Sequence, residues 1–231
     1  MSCTIHTFRM PHGVRTYLLV DKTTNNAVII DPTTEDKELY YSFFAKNKQI
    51  TLTHVLDTHT HADHISLAKE LKKKYSKISY AINVNAPTQS KDIALHDGEI
   101  IQFGNSSIIS LYTPGHTNDS MTFVATSNNK KYLFTGDIIL AKGTGRTDFQ
   151  EGSSIKSYEA IMRLTKFPDE TIICPAHDYD DKLETTMGHV QRYNSRVILA
   201  LHSRDAFVDA LNKHKPPLPE LFIVSITENS K

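Results

Sequence analysis

The segment Thr58-His59-Thr60-His61-Ala62-Asp63-His64 gathers three imidazoles and a carboxylate into one short stretch. Both groups are good ligands for zinc, iron and manganese. Three further segments carry the same side-chain types beside turn residues: Thr113-Pro114-Gly115-His116, Phe134-Thr135-Gly136-Asp137 and Cys174-Pro175-Ala176-His177-Asp178-Tyr179. A lone pair of histidines reads as surface, and any one later segment alone reads as a turn or cap. Together, in this order, they point to a metal site built from His59, His61, Asp63, His64, His116, Asp137 and His177.

Such a site needs elements that end where the ligands begin. Thr51 to Asp57 reads as a strand running into His59 and His61, and alternation along the backbone can send both the same way. Ile65 to Tyr75 reads as the helix that follows, with Asp63 and His64 at its entry. Earlier, Thr16 to Val20 and Ala27 to Ile30 read as strands joined across Thr23 to Asn26. Asp31-Pro32 closes the second, and Glu35 to Lys46 has helical spacing. Ile78 to Ile82 is a further strand. Ile100 to Phe103 and Ser107 to Tyr112 form a hairpin leading to His116. Met121 to Ala125 and Tyr132 to Phe134 form another leading to Asp137. Ile155 to Leu164 is a helix capped by Ser153 or Ser154. Thr171 to Cys174 is a strand leading to His177, and the tail from Thr185 to Asn212 is mostly helical. Strand clusters alternating with helices imply mixed sheets with helices outside. With no repeat and no linker, residues 1–231 read as one domain with a short helical C-terminal tail from about 185.

The 231 residues carry 26 basic and 26 acidic side chains, so the formal net charge is zero. That balance favours a small substrate over nucleic acid or a polybasic membrane contact. No apolar run approaches the roughly 20 residues of a membrane span, and the N-terminal stretch lacks a signal-peptide core. The expectation is a cytoplasmic protein with Cys3 and Cys174 reduced. A homodimer is the default for a soluble enzyme.

From about Tyr17 to His177 the pattern resembles the metallo-β-lactamase superfamily. The resemblance implies a four-layer αββα sandwich with the metal site at one edge of its two sheets. In dinuclear members His59, His61 and His116 would hold one metal, Asp63, His64 and His177 the other, and Asp137 would bridge. The run Gly143-Thr144-Gly145-Arg146-Thr147-Asp148-Phe149-Gln150 looks like the signature of the persulfide dioxygenase branch. His177-Asp178-Tyr179 also fits that branch, as does Asn194-Ser195-Arg196 expected inside a later helix. Thr60 and Thr144 stand where that branch often has Cys.

This branch implies one Fe(II) per chain on His59, His116 and Asp137, with His61, Asp63, His64 and His177 around them. Glutathione persulfide and O2 would be the substrates, and sulfite and glutathione the products. His177 or Asp63 would handle protons, with Tyr179 a further catalytic candidate. Arg146, Tyr179 and Arg196 would hold glutathione, because a guanidinium pairs well with a carboxylate. The plainer readings are a loop salt bridge to Asp148 for Arg146 and a solvated helix face for Arg196. The main alternative is a glyoxalase II-type thioester hydrolase with two zinc ions on the same seven ligands. The Gly143–Gln150 run and the short stretch after His177 argue against it. A metal-binding scaffold without catalysis is a second alternative, and no ligand position is missing to favour it.

Overall fold

The computed structural model describes residues 2–10, 13–75, 77–178 and 185–231. Among these the chain forms two six-stranded sheets. The first orders its strands as β1 (Cys3–Arg9), β2 (Arg15–Asp21), β3 (Asn26–Ile30), β4 (Thr51–Leu56), β5 (Ser79–Asn83) and β6 (Ile93–Leu95). The second runs from β12 (Thr185–Thr186) through β11 (Ile172–Pro175), β10 (Lys130–Gly136), β9 (Met121–Ser127) and β8 (Ser106–Tyr112) to β7 (Ile100–Phe103).

Period-two alternation sorts the side chains into three cores. In β2, Tyr17 and Leu19 face the other sheet, whereas Leu18 and Val20 face outward to helices. Val28 and Ile30 of β3 repeat the inward choice, and so do Phe123 of β9 and Phe134 of β10 on the opposing sheet. Helices α1 (Lys37–Lys46) and α2 (Ala68–Lys74) cover the first sheet with Tyr40, Phe44, Ala68 and Leu71. The second sheet is covered by α3 (Ser154–Leu164), α4 (Met187–Tyr193), α5 (Ser195–His202) and α6 (Arg204–Lys213), through residues such as Ile161, Val190, Val197 and Phe207. The result is the expected four-layer order of helix, sheet, sheet, helix. A last helix, α7 (Phe222–Asn229), follows the proline-containing stretch after α6.

Most sequence-derived elements stand, with shifts at their ends. The helix expected from Ile65 begins at Ala68, so the ligand segment keeps a longer non-helical path. Ser153 is the cap of α3, its hydroxyl accepting from the Lys156 amide. The hairpin of β9 and β10 turns on Asn128 and Asn129, both in the left-handed region at φ 49° and 63°. Asn tolerates that region, and the turn matches the strand twist. Asn194 is not inside a helix: it is the junction and N-cap between α4 and α5, and its side chain accepts from the amides of Arg196 and Val197. Strands β1 and β6 and helix α7 are elements that the periodicity did not reveal. No helix among the described residues is long and apolar enough to cross a membrane.

Direction places the site. β8 and β10 are both antiparallel to β9, so they run the same way, and β11 is parallel to β10. Their C-terminal ends share one edge of the second sheet. The segment after β4 meets that edge, where the Met121 amide donates to the Thr58 carbonyl.

Away from the site, Asp21 joins the two layers. One of its oxygens accepts from the Thr23 and Thr24 amides and the Thr24 hydroxyl, and the other accepts from Ser106 across the sheets. Burial would raise this carboxyl, but the Ser106 and Thr24 donors outweigh it and hold it at about 2. A depressed carboxyl stabilises above its unfolded value, and that contribution is lost as pH falls through the folded one. Asp21→Asn should cost about 1–2 kcal/mol near neutral pH. Urea titrations between pH 6 and pH 2 should show the difference from wild type shrinking as acid is added.

Candidate metal centre

All five motif imidazoles are buried, His59, His61 and His64 almost completely. The His59 and His61 ring centroids lie 4.2 Å apart, His61 and His64 4.1 Å, and His59 and His116 4.9 Å. One ligand atom from each of His59, His116 and Asp137 lies within 4.8 Å of the other two, and the same holds for His61, Asp63 and His64. His177 closes the ring, with Nε2 3.2 Å from Asp63 and 3.7 Å from Asp137. The structure thus brings all seven motif residues together.

The tautomers are set from behind. His116 Nδ1 lies 2.8 Å from the Arg146 carbonyl, which can only accept, so Nδ1 carries the proton and Nε2 faces Asp137 at 3.5 Å. Thr58 donates its hydroxyl to Asp31 at 2.9 Å and therefore accepts from His59 Nδ1 at 3.0 Å. His59 Nε2 is left as the ligand atom. Asp31 also pairs with His61 Nε2 at 3.1 Å, leaving His61 Nδ1 for the site. One carboxylate therefore orients two imidazoles, one directly and one through a hydroxyl. The turn that presents it puts Asp31 at φ 52°.

Asp31 was only a strand end in the sequence. Its chemistry depends on β3 lying beside β4, with the Asp31 amide donating to the Leu56 carbonyl. Asp119 was missed for the same reason. It clamps the ligand segment by accepting from the Thr60 amide and hydroxyl, and its second oxygen accepts from Thr117. Thr60, where the related branch often has Cys, is thus a brace. Gly145 explains the glycine of the Gly143–Gln150 run. A Cβ there would stand 2.6 Å from the Asp137 carbonyl and 2.7 Å from His116 Nδ1. Only glycine lets this loop lie against two ligands.

Electrostatics sort the groups into neutral and charged sets. Burial, with His61 and His116 as neighbours, holds His59 well below the usual imidazole value. Burial and His64 do the same for His61. These two present lone pairs rather than protons. Burial also opposes the charged form of His177, but Asp137 and Asp63 overcome it and push this imidazole up to about 9. Asp63 lies well below the carboxylate range, because His64 and His177 outweigh its burial. Asp137 is lowered too, against its burial, by His177, His116 and His59. Behind them burial pushes Asp31 up to about 6, even against its Thr58 donors. Asp57, buried beside it with a donor from Tyr80, is pushed up to about 7.

The donor set fits a metal ion on its own evidence. His61 Nδ1, His64 Nε2 and Asp137 Oδ1 are buried and have no hydrogen-bond partner among the described residues. Buried polar atoms are rarely left so, and these point into one cluster of nitrogen and oxygen donors.

Of the remaining candidates, Arg146 adjoins this centre through its carbonyl. Arg146 holds Asp148 with both ends of its guanidinium, at 2.6 and 2.7 Å. It also donates to the Pro217 carbonyl and lies over the Phe149 ring. Arg196 stands half-buried at the start of α5. The preceding Asn194 donates to the Leu140 and Gly143 carbonyls, tying that helix to the loop. Tyr179 falls outside the described residues. Arg15 and Asp178 form a buried ion pair at 2.7 Å, and Tyr17 donates to the Pro175 carbonyl, so β2 sets the turn that carries His177. Cys174 is a core residue between the sheets.

The fold agrees with the comparisons. Residues 9–177 match the metallo-beta-lactamase superfamily, and the chain belongs to it. Within that class, a Bos taurus protein named mitochondrial persulfide dioxygenase ETHE1 is 34% identical over 202 residues, spanning 87% of this chain and 78% of the relative. The crystal structure of ETHE1 from Myxococcus xanthus superposes with a TM-score of 0.91 at 33% identity, covering 98% of each chain. A Schizosaccharomyces pombe protein named as a probable hydroxyacylglutathione hydrolase is 36% identical over 165 residues, 71% of this chain and 63% of that protein.

Removing the orienting carboxylate tests the tautomer argument. Asp31→Ala should lower metal affinity by about 10–100-fold, more than the loss of a surface carboxylate such as Glu38→Ala. Equilibrium competition against a chromophoric chelator reads the difference directly.

Proposed function

We propose that this chain is a persulfide dioxygenase, converting glutathione persulfide, O2 and water to glutathione and sulfite at a single Fe(II) site on His59, His116 and Asp137. The observation that carries the reading is the cluster of two imidazoles and one carboxylate within 4.8 Å, in a chain one-third identical over most of its length to proteins named persulfide dioxygenase. Such a set covers one face of the ion and leaves positions for two substrates. An Fe(II) held there would bind and activate O2, with the outer sulfur of the persulfide as the source of the electrons that reduce it.

The protein's own residues provide the rest. Asp63 is shared between His64 at 3.1 Å and His177 at 3.2 Å, which keeps it an anion and His177 a cation. That pair can give and take the protons of the hydrolytic step that frees sulfite. Arg146 and Arg196 serve the glutathione carboxylates, and for Arg146 this means exchanging Asp148 for substrate. Tyr179 belongs with them in the same reading. The buried walls around His59 and His116 exclude bulk water from the reacting sulfur.

The second reading is a dinuclear zinc thioester hydrolase. It is favoured by the other cluster of His61, Asp63 and His64 and by the relatives named hydroxyacylglutathione hydrolase. The two separate on purified protein assayed for persulfide-dependent O2 uptake with Fe(II) and for S-lactoylglutathione hydrolysis with Zn(II). Uptake with sulfite formed and one iron per chain supports the first. Thioester cleavage alone, with two metals per chain, moves the assignment to the second. His116→Ala should abolish turnover under either. Arg146→Ala should raise the KM for glutathione persulfide several-fold; a fall in kcat alone would make Arg146 a support for the loop instead.

A further inference from the structure

We propose that the C-terminal helix α7 belongs to the metal-site apparatus, and that Asn229 is a positioning residue that sets how tightly the site holds its metal. The Asn229 side-chain amide donates to two backbone carbonyls, His61 and His64, each at 2.9 Å. Its oxygen accepts from the Ser66 amide, also at 2.9 Å. These three contacts bracket the turn that carries His61, Asp63 and His64. That turn lies between β4 and α2, where no ladder or helix fixes the backbone. The two histidine carbonyls have no other donor among the described residues. A single planar amide bonded to both fixes the distance between them, and so the direction in which the ligand side chains leave the backbone.

The rest of the tail supports this role. Lys69, at the start of α2, donates to the Glu228 carbonyl. At the other end of α7 the Phe222 ring meets Phe149 edge-on at 5.0 Å, and Phe149 in turn meets His116 at 5.9 Å. Just before the helix, Pro217 accepts from Arg146, whose own carbonyl fixes the His116 tautomer. The tail thus touches both ligand-bearing loops. It adds little to a core: Ile223 is 78% exposed and Val224 is 52% exposed, while the buried positions of α7 are the polar Ser225 and Asn229. A helix that exposes Ile223 and Val224 and buries an amide on two ligand-loop carbonyls acts through those hydrogen bonds. Ligand geometry matters to within a few tenths of an ångström, so loosening the turn should be read in metal retention.

The inference rests on the metal site and not on which reaction it performs. It is tested without substrate, on full-length protein loaded with Fe(II) or with Zn(II). Asn229→Asp keeps the side-chain shape and the acceptor for Ser66 but removes both donors. Metal release to an excess of chromophoric chelator should accelerate about tenfold in this variant. The rise in Tm on metal loading should shrink relative to wild type. Phe222→Ala, which loosens the far end of the helix and leaves the amide in place, should accelerate release by a smaller factor. It keeps the test available if Asn229→Asp folds poorly. Ile223→Ala, on the exposed face, should match wild type. Wild-type release from both Asn229→Asp and Phe222→Ala would overturn the proposal. So would equal losses of Tm in the metal-free and loaded forms, since those are the mark of a helix that only stabilises the fold.

Discussion

Five imidazoles and three carboxylates share one largely buried edge of this molecule, and the rest of the structure answers to that crowding. Packing of this kind is costly unless each group is neutral, paired or bound to a metal. The chain uses the first two and leaves donor atoms suited to the third. His59 and His61 are held neutral by burial, with His61 and His116 acting on the first and His64 on the second. His64, Asp63 and His177 form a charged chain. Asp137 faces His116 with Oδ2 and His177 with Oδ1, and Oδ1 has no hydrogen-bond partner among the described residues. The arrangement has the character of a site shaped for a cation.

Holding such a cluster requires a rigid frame with loose ends. The two sheets supply the frame, since inner strands such as β2, β3 and β9 bury both faces and cannot shift without breaking a core. The ligands all follow C-terminal strand ends, where the backbone leaves the ladder and can be aimed. What aims it is a set of polar braces: Asp31 behind His59 and His61, Asp119 beneath Thr60, the Arg146 carbonyl behind His116, and the buried Arg15–Asp178 pair beside His177. Each brace reaches from a different part of the chain, so the site is a product of the whole sandwich.

The strands and the ligand residues were legible because they obey local rules. Short apolar runs bounded by turn residues mark β2, β3, β9 and β10, and histidine beside turn residues marks the ends of β4, β8 and β11. β1 was hidden because, at an edge, it holds few apolar residues and no apolar run. β6 is too short to show a period. α7 was hidden because its face is inverted, with aliphatic residues outside and polar ones buried. Asn194 looked helical because helices flank it, yet its side chain serves better as a cap and as a tie to the Leu140–Gly143 loop.

The sequence by itself determined which side chains could bind a metal, the order in which they come, and the layered fold that delivers them. Those properties are carried by residue type and spacing, and they survive any rearrangement of the surroundings. Only the tertiary structure decided which nitrogen of each imidazole faces the site, that Asp31 and Asp119 stand behind it, that Arg146 reaches Pro217, and that the last helix returns to hold the ligand turn. These are contacts between residues far apart in the chain. Their partners are fixed by strand order and packing, and no local pattern encodes a hydrogen bond between Asn229 and His61.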